Sequence, residues 1–517
     1  MSDVKQFLRN VFIRRPPVDL LRRRRFLDLF SKSIAFASTF TAWGRAVAVQ
    51  GSEPGTEGST GDATVDATAA PSLKRGTAAY ERARLDAIWN ERKPDRYPDQ
   101  IIIASNDQDI VAAVRLAKRV GCQIATRSGG HSWIGNHIRD GGILLDLSRM
   151  TDINIDANSN IASIQPGVHA RDLQKSLNDV GLRFPTATCP TVGMGGYLLG
   201  GGASFTSRLD GASCFGVVAA DVVMADGTLI HATDQTYPEI MWAVRGSGPN
   251  FFGVVTKFYL QAKPLYKSML SSTYIFPVAV AEELFQWHLG ISRSLPLTVT
   301  HNWFAVESAM PELGSVPILL NAIAFGDSDE ETRALLDVFE KNPLLGKAIV
   351  HQPPAPWTND LGFSLVSRLY PKGFRFRSDA LWVDPYKDGF TKLIAQAVSS
   401  LPTDRAHILW APFSTSHQHP NACYSLESPV SIHFYGVSAE ASDDKRMDDW
   451  VNGWMTKCRP FSYYGGAGKI NDNDIIEFPK YFLTPENRDR VAKLRRKYDP
   501  AGVILPCIGT DHSVKPA

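Results

Sequence analysis

At 517 residues the chain is too long for one ordinary hydrophobic core, so at least two domains are expected. Its apolar fraction of 44% and charged fraction of 21% are those of a soluble globular protein. The formal net charge is +2, but residues 1–50 alone account for +7, with ten Lys or Arg against three Asp or Glu. The remainder carries −5 and has no basic stripe, which argues against nucleic acid as a partner.

Residues 1–48 have the order of an export signal. The basic run Arg22–Arg25 precedes Phe26 and Leu27, then a modest apolar stretch, then small residues at Ala46–Ala48. The Arg-Arg-x-Phe-Leu core resembles the twin-arginine type, so we expect an exported protein, periplasmic or secreted. A membrane anchor is less favoured because charges interrupt the apolar stretch, and a basic disordered arm is a second alternative. Residues 49–72 are expected to form a flexible linker.

Helix and strand patterns alternate between residues 100 and 262. A helix capped by Asp107 is expected first, because apolar residues three or four positions apart follow it. The further expected strands are Gln123–Thr126, Gly142–Leu147, Ile161–Gln165, Val217–Asp226, Leu229–His231 and Phe251–Leu260, and the further helices are Ala170–Val180 and Pro238–Val244. Short strands interleaved with helices indicate an α+β domain.

Longer strands are expected between residues 265 and 455. They are Leu270–Phe276, Leu297–Val306, Val316–Phe325 and Pro429–Val437, with helices at Val280–Leu289 and Asp329–Lys341. This pattern favours an antiparallel sheet with helices over one face. A charged helix, Pro485–Tyr498, is expected near the end of the chain and is stopped by Asp499 and Pro500.

Two glycine-rich turns carry nucleophilic side chains. One reads Arg127-Ser128-Gly129-Gly130-His131-Ser132-Trp133, and the other begins Cys189-Pro190-Thr191-Val192-Gly193. Glycine accepts positive φ and leaves backbone amides open to a diphosphate. Taken separately, the turns are ordinary loops, His131 is a polar core residue and Cys189 is a small buried apolar one. Their joint placement favours a flavin held covalently at two points.

Two other kinds of site have weaker support. The segment Gly193–Leu198 lacks the last glycine of the dinucleotide-binding fingerprint. The six cysteines are scattered without CxxC or metal-type spacing, so no metal site is predicted.

As a set, the motifs resemble those of the berberine bridge enzyme-like oxidases, which belong to the vanillyl-alcohol oxidase type of flavoproteins. The matching segments are Arg127–Trp133, Cys189–Gly196, Gly200–Gly202, Gly142–Ser148, Arg245–Thr256 and Lys497–Pro500. The resemblance runs from about residue 80 onward. It is strong in the flavin region and thin in the middle, where only Arg377–Asp379 is similar.

The resemblance implies an α+β fold in which a two-part FAD-binding domain, residues 73–265 and 460–517, flanks a substrate domain. The substrate domain, residues 266–459, would contain an antiparallel sheet covered by helices. FAD would be bicovalent, linked through His131 to the flavin 8α-methyl and through Cys189 to ring carbon 6. The other residues implied to bind it are Arg127, Ser128, Gly129, Gly130, Ser132, Val192, Gly193, Gly195, Gly196 and Val254. Val192, three residues after the cysteine, is the choice associated with oxidases and favours O₂ as electron acceptor.

The sequence leaves the catalytic base open. Family members often read Tyr-x-Asn-Tyr-x-Asp near the C-terminus, whereas Lys469–Asp474 has neither tyrosine and Asp472 takes the place of the second. Burial would raise the pKa of this carboxyl and make it a base, but a solvated polar turn fits the same residues. Rival candidates are Tyr463, Tyr464, His433 and Tyr435, the last two on one face of a predicted strand.

We therefore expect an FAD-dependent oxidase acting on a small hydroxyl-bearing substrate, such as an alcohol, a sugar or a secondary metabolite. Hydride would pass to flavin N5 while a base takes the hydroxyl proton, and O₂ would be reduced to hydrogen peroxide. Two alternatives stay open: a dehydrogenase that uses a quinone or protein acceptor, and a non-catalytic flavin-binding protein.

Overall fold

In a computed structural model of the chain, the described residues are 70–306, 317–413, 420–463 and 482–508. The chain divides after Val65 into two units, and every described residue belongs to the second unit. Three β-sheets and a two-stranded ribbon form the framework of this part of the chain. Within these four ranges, no helix has the length and apolar character needed to cross a membrane.

The first sheet is mostly parallel. Its strands are β1 Ser72–Lys74, β2 Gln100–Ile103, β3 Ile124–Arg127 and β4 Ile143–Asp146, and its helices are α1 Ala78–Asp86 and α2 Asp107–Val120. The strand order is β1-β2-β4-β3, and only β1 runs antiparallel to its neighbour. A late segment of the chain reaches the β3 edge, where Ile504 bridges to Ile124 and the amide of Leu505 donates to the carbonyl of Ile124.

The start of α2 differs from the sequence prediction. The N-cap is Asn106 and not Asp107, because the side chain of Asn106 accepts a hydrogen bond from the Asp109 amide at 3.0 Å. Asp107 is instead the first helical residue, where a carboxylate interacts favourably with the positive end of the helix dipole. The helix ends at Val120 and is capped by Gly121, whose φ of 70° suits glycine.

The second sheet is antiparallel and has five strands. The strands that follow β4 are β5 Ile153–Asp156, β6 Ile161–Ile164, β7 Leu182–Arg183, β8 Val217–Met224, β9 Leu229–Thr233, β10 Gly253–Gln261 and β11 Lys263–Pro264. The sheet order is β5-β6-β10-β8-β9, and β7 pairs with β11 in a separate ribbon. The helices of this region are α3 Ala170–Asn178, α4 Met194–Leu199, α5 Ser207–Asp210 and α6 Pro238–Val244.

The third sheet is antiparallel and has seven strands. They are β12 Ser268–Pro277, β13 Val299–Val306, β14 Pro317–Gly326, β15 Val350–Pro356, β16 Arg375–Val383, β17 His407–Pro412 and β18 Val430–Ser438, in the order β15-β12-β14-β13-β17-β18-β16. The remaining helices are α7 Ala281–Ser292, α8 Asp329–Glu340, α9 Asn359–Leu369, α10 Phe390–Val398, α11 Asp444–Cys458 and α12 Pro485–Tyr498.

Side chains alternate between the two faces of the third sheet, as the period of a β-strand requires. One face packs against α7, α8, α10 and α11 and buries residues such as Trp303 and Ile432 in an extensive apolar cluster. The next residues along the same strands, Phe304 and His433, line a cavity on the other face. The prediction of an α+β fold containing an antiparallel sheet with helices over one face is therefore confirmed.

Several elements had no counterpart in the sequence prediction. They are β1, β2, β5, β7, β11, β15, β16, β17, α1, α4, α5, α9, α10 and α11. By contrast, the predicted helices Pro238–Val244 and Pro485–Tyr498 match α6 and α12 residue for residue. The bounds of the FAD-binding and substrate domains stay predictions.

Candidate functional site

The two glycine-rich turns meet backbone to backbone. A Cβ atom added to Gly129 would lie 2.3 Å from the amide nitrogen of Gly193, and one added to Gly193 would lie 2.4 Å from the amide nitrogen of Gly129. No side chain fits at such distances, so both positions require glycine. The first turn follows β3 and the second precedes α4, so strands and helices of the first two sheets hold the turns together.

His131 and Cys189 both contact one hydroxyl group. Oγ1 of Thr191 lies 3.0 Å from Nε2 of His131 and 3.8 Å from Sγ of Cys189. Burial, assisted by the nearby His169 and Arg127, lowers the pKa of His131 to about 3, so the imidazole is neutral at physiological pH. Burial also raises the pKa of the Cys189 thiol, which favours its protonated form. The structure brings the two predicted attachment residues together as uncharged side chains.

An aromatic residue that sequence reasoning missed covers His131. The ring of Trp89 stacks on the imidazole with 5.2 Å between centroids and 27° between planes. The Trp89 amide also donates a hydrogen bond to the carbonyl of Gly130 at 3.0 Å. Trp89 is therefore fixed to the first turn through both its ring and its backbone.

Asn90 joins the first turn to the third sheet and was also missed. This side chain is 1% exposed. Its amide group donates to the carbonyls of Trp133 at 3.0 Å and Phe376 at 2.9 Å. Its oxygen accepts from the amides of Phe376 at 2.9 Å and Arg92 at 3.1 Å. Asn90 thus pairs with β16 as a neighbouring strand would.

The other predicted cofactor residues lie around the same cavity. Nη1 of Arg127 donates to both carboxylate oxygens of Asp146, at 2.9 and 3.0 Å, while its buried Nε has no hydrogen-bond partner among the described residues. Oγ of Ser128 accepts a hydrogen bond from the Gly196 amide at 3.3 Å. The remaining ones that line the cavity are Gly129, Gly130, Ser132, Val192, Gly193, Gly195 and Val254.

The cavity measures about 470 Å³ and extends from the turns to the third sheet. Its walls, as far as the structure describes them, contain no Asp, Glu or Lys, and Arg127 is their only Arg. A glycine backbone whose described cavity wall contains no carboxylate, together with the buried Nε donor of Arg127, suits an anionic diphosphate. The neutral imidazole of His131 and the thiol of Cys189 stand beside this region, so these residues fit FAD. The described residues hold no group of three His, Cys, Asp or Glu that could bind a metal.

His433 and Tyr435 lie side by side on the cavity face of β18, as the predicted strand required. The Tyr435 hydroxyl is 3.4 Å from Nδ1 of His433, and Nε2 of His433 is 2.9 Å from Oγ of Ser431. The Tyr435 ring also stacks on His407, with 4.5 Å between centroids, and meets Trp133 edge-on at 6.1 Å. A hydrogen-bonded chain of three side chains therefore runs along this wall.

Tyr370 is a further phenol at this wall. It follows the last residue of α9, lines the cavity and meets the ring of Tyr435 at 5.1 Å and 76°. Burial raises the pKa of Tyr370 well above its ordinary value, and the neighbouring Tyr435 and Cys189 raise it further. No motif in the sequence marks Tyr370, because its neighbours come from distant strands.

Of the other base candidates, Tyr463 is the one that the structure describes. The amide of Tyr463 donates to the carbonyl of Trp382 at 2.8 Å, but Tyr463 does not belong to the described residues that line the cavity. Asp472 and Tyr464 lie outside the described residues.

Known proteins resemble the chain in sequence and in fold. The family described as an FAD binding domain matches residues 98–233. The FAD-linked oxidoreductase nodO of Hypoxylon pulicicidum is 30% identical over 437 residues, which cover 84% of this chain and 95% of that protein. 6-Hydroxy-D-nicotine oxidase from Arthrobacter nicotinovorans superposes with a TM-score of 0.74 at 23% identity, covering 86% of this chain and 98% of the other. BBE-like 1 of Physcomitrella patens gives a TM-score of 0.72 at 20% identity, covering 84% and 96%. The two structures share the fold of this chain.

Proposed function

Because this chain belongs to the berberine bridge enzyme-like family of FAD-linked oxidoreductases, we propose that it oxidises a small hydroxyl-bearing compound with FAD attached at two points. The protein is an FAD-dependent oxidoreductase. The proposal adds His131 and Cys189 as attachment residues, a hydroxyl-bearing substrate and O₂ as acceptor. When bound, the flavin supplies a hydride acceptor at N5, and its reoxidation by O₂ yields hydrogen peroxide.

One observation carries the double attachment: the contacts of the Thr191 hydroxyl with both nucleophiles. A side chain that attaches covalently to the flavin must meet two conditions. It must be held near the flavin atom that it attacks, and its lone pair must be free of a proton. His131 meets the second condition because its lowered pKa keeps the imidazole neutral. Trp89 and Thr191 restrict the orientation of the ring from different directions.

For the substrate proton, we assign the base to Tyr435. Its hydroxyl contacts His433, which is held in turn by Ser431, so a proton accepted at Tyr435 has a route along the chain. This is the arrangement of a base oriented by a second and a third group. Asp472 and Tyr464 are the competing assignments.

Support for O₂ as acceptor comes from Val192, which lines the cavity. It is the third residue after Cys189, the position at which valine is associated with oxidases in the resembling family. The competing assignment is a dehydrogenase that uses a quinone or a protein carrier. Hydrogen peroxide yield separates the two. An oxidase forms one peroxide for each substrate oxidised under air, whereas a dehydrogenase turns over in air only when an artificial acceptor is added.

Acid precipitation of the purified protein tests the attachment. A yellow pellet, with flavin mass on the peptides that contain His131 and Cys189, is the expected result. Cys189→Ala should leave flavin on His131 alone, and His131→Ala should leave it on Cys189 alone. Cys122→Ala is the matched control, because this half-buried cysteine does not line the described cavity. Flavin recovered only in the supernatant of the wild type rejects covalent attachment.

We also propose that residues 1–48 direct export, on the twin-arginine pattern of Arg23 and Arg24 before Phe26. Fractionation of cells that express the full chain tests this proposal. The pair of substitutions Arg23→Lys and Arg24→Lys should retain the protein in the cytoplasm. Unchanged fractionation of that variant contradicts the proposal.

A further inference from the structure

Tyr370 is held on edge against a stacked pair of rings. The rings of Tyr435 and His407 stack with 4.5 Å between centroids and 17° between planes. The ring of Tyr370 stands nearly perpendicular to both, at 76° and 5.1 Å from Tyr435 and at 75° and 5.1 Å from His407. The rings of Trp133 and Phe376 lie 6.2 and 6.3 Å from it. Rings from the first turn and from three strands therefore restrict the orientation of this phenol.

The hydroxyl of Tyr370 is a hydrogen-bond donor to its neighbour. Burial raises the pKa of Tyr370 well above the ordinary value, and the charge of Tyr435 and a side-chain hydrogen bond with Tyr435 raise it further. A hydrogen bond raises the pKa of a phenol when the neutral form of that phenol donates it. Cys189 contributes least, and as a thioether on the flavin it would carry no charge. Tyr370 therefore keeps its proton and directs it toward Tyr435.

The other described polar groups that face Tyr435 come from three strands. His433 on β18 contacts the Tyr435 hydroxyl through Nδ1, and Ser378 on β16 lies opposite Tyr435 in the sheet register. His407 on β17 donates from Nδ1 to the carbonyl of Arg405 at 3.0 Å, and burial lowers its pKa to about 4. His407 is therefore neutral at physiological pH and adds no positive charge beside Tyr435.

These contacts form one directed chain. With Tyr370 as the donor, the proton of Tyr435 is free to point toward Nδ1 of His433, 3.4 Å away. Nε2 of His433 then carries its own proton toward Oγ of Ser431 at 2.9 Å. Each group accepts from one neighbour and donates to the next. When the Tyr435 proton moves to His433, the negative charge stays on the Tyr435 oxygen, which accepts the hydrogen bond of Tyr370.

We propose that Tyr370 is a positioning residue for the base: its hydroxyl donates to the Tyr435 oxygen and stabilises the Tyr435 anion, so that Tyr435 acts as a base at lower pH. Tyr370 does not itself take the substrate proton. One hydrogen bond to a charged oxygen lowers the pKa of the group that carries the charge by roughly one to two units. This inference rests on the proposed function, since it concerns the base assigned there.

Fluorine NMR of the flavin-loaded protein reads the pKa of each phenol without any substrate. 3-Fluorotyrosine is placed site-specifically at position 435 or at position 370, and its fluorine shift is followed across the pH range around the ordinary phenol pKa of about 10. Position 435 should titrate first, because the donor of the pair keeps its proton. Titration of position 370 before 435 overturns the inference, and so does a Tyr435 that keeps its proton until the protein unfolds. This comparison removes no side-chain contact.

Tyr370→Phe keeps the ring and removes the donor, so the pKa at position 435 should rise by roughly one to two units. Tyr274→Phe is the matched control. It also removes a phenol hydrogen bond from the third sheet, the one to Glu340 at 2.5 Å, but Tyr274 belongs to the apolar cluster on the opposite face. The control should leave the pKa at position 435 unchanged. An equal pKa in folded Tyr370→Phe protein, or an equal rise in the control, overturns the inference.

Failure of the proposed function gives a different result from failure of this inference. If Tyr435→Phe reduces its flavin at the wild-type rate, Tyr435 is not the base, yet the fluorine titration still reports whether Tyr370 acts on it. If the titration contradicts the inference while Tyr435→Phe slows reduction, the assignment of the base stands and the role given to Tyr370 is wrong.

Discussion

Replacing Asn90 by Ala should destabilise the protein and loosen the cover over His131. The substitution removes four hydrogen bonds, to Trp133, to Arg92 and two to Phe376. Each is worth about 1 kcal/mol net, and a buried backbone group left without a partner costs about 1–3 kcal/mol. Water reaches some of these groups after the change, so we expect a total loss of about 3 kcal/mol.

For a protein of this size, the unfolding entropy is about 1 kcal/mol per kelvin, so that loss lowers the melting temperature by roughly 3 °C. Differential scanning calorimetry or a fluorescence melt measures it directly. Because Asn90 adjoins Trp89, which stacks on His131, the fraction of protein that carries covalent flavin should also fall. Fluorescence of the denatured protein on a gel reports that fraction.

The control is Asn154→Ala, an exposed strand residue that should change stability by less than about 0.5 kcal/mol. If Asn90→Ala melts with the wild type, the hydrogen bonds described here do not hold the turn to the third sheet. If it melts lower but carries full flavin, Asn90 stabilises the fold without positioning Trp89 over His131.

Three further predictions concern the turns, the base and the core. Gly129→Ala should abolish flavin binding, because its Cβ would meet the Gly193 amide at 2.3 Å; a yellow, folded variant would contradict this close contact. Tyr435→Phe should slow anaerobic flavin reduction by roughly 10²–10⁴-fold while covalent flavin is retained; an unchanged rate would move the base to another residue. His288 is buried 2.8 Å from a nitrogen of His301, and burial lowers its pKa from 6.5 to about 3. Protonation therefore favours the unfolded chain, and stability should fall by up to about 1.4 kcal/mol per pH unit as pH drops from 6.5 toward 3. His288→Gln should show a shallower dependence in chemical denaturation, and an equal slope would refute the assignment.

The sequence predicted those elements whose signals are local. The helix Pro485–Tyr498 begins with a proline, and the side chain of the preceding Thr484 accepts a hydrogen bond from the Asn487 amide. These residues mark the start of a helix in the sequence, so its first residue could be predicted. The strand β15 was missed because it contains Pro353 and Pro354, which ordinarily argue against a strand. It tolerates them because it lies at the sheet edge.

The residues of the candidate site also fall into those that a local motif marks and those that only the fold brings into place. Glycine and nucleophile motifs marked His131 and Cys189, since those residue types sit within short, recognisable turns. Asn90 and Tyr370 carry no such mark, because their roles arise from contacts made by the fold. The partner of Asn90 on β16 is 286 positions away, and only the folded sheet brings it within hydrogen-bond distance.

Residues 503–508 bear on when the cofactor can enter. Ile504 lies beside β3, the strand that leads into the first turn, and Leu505, Pro506 and Cys507 line the cavity. The contact between Gln123 and Gly502 nearby spans 379 positions. A ribosome must therefore finish nearly all of this unit before that side of the cavity exists. We therefore expect FAD to load only after nearly all of this unit has been synthesised, and a nascent chain halted before residue 503 would display the turn without its closing segment.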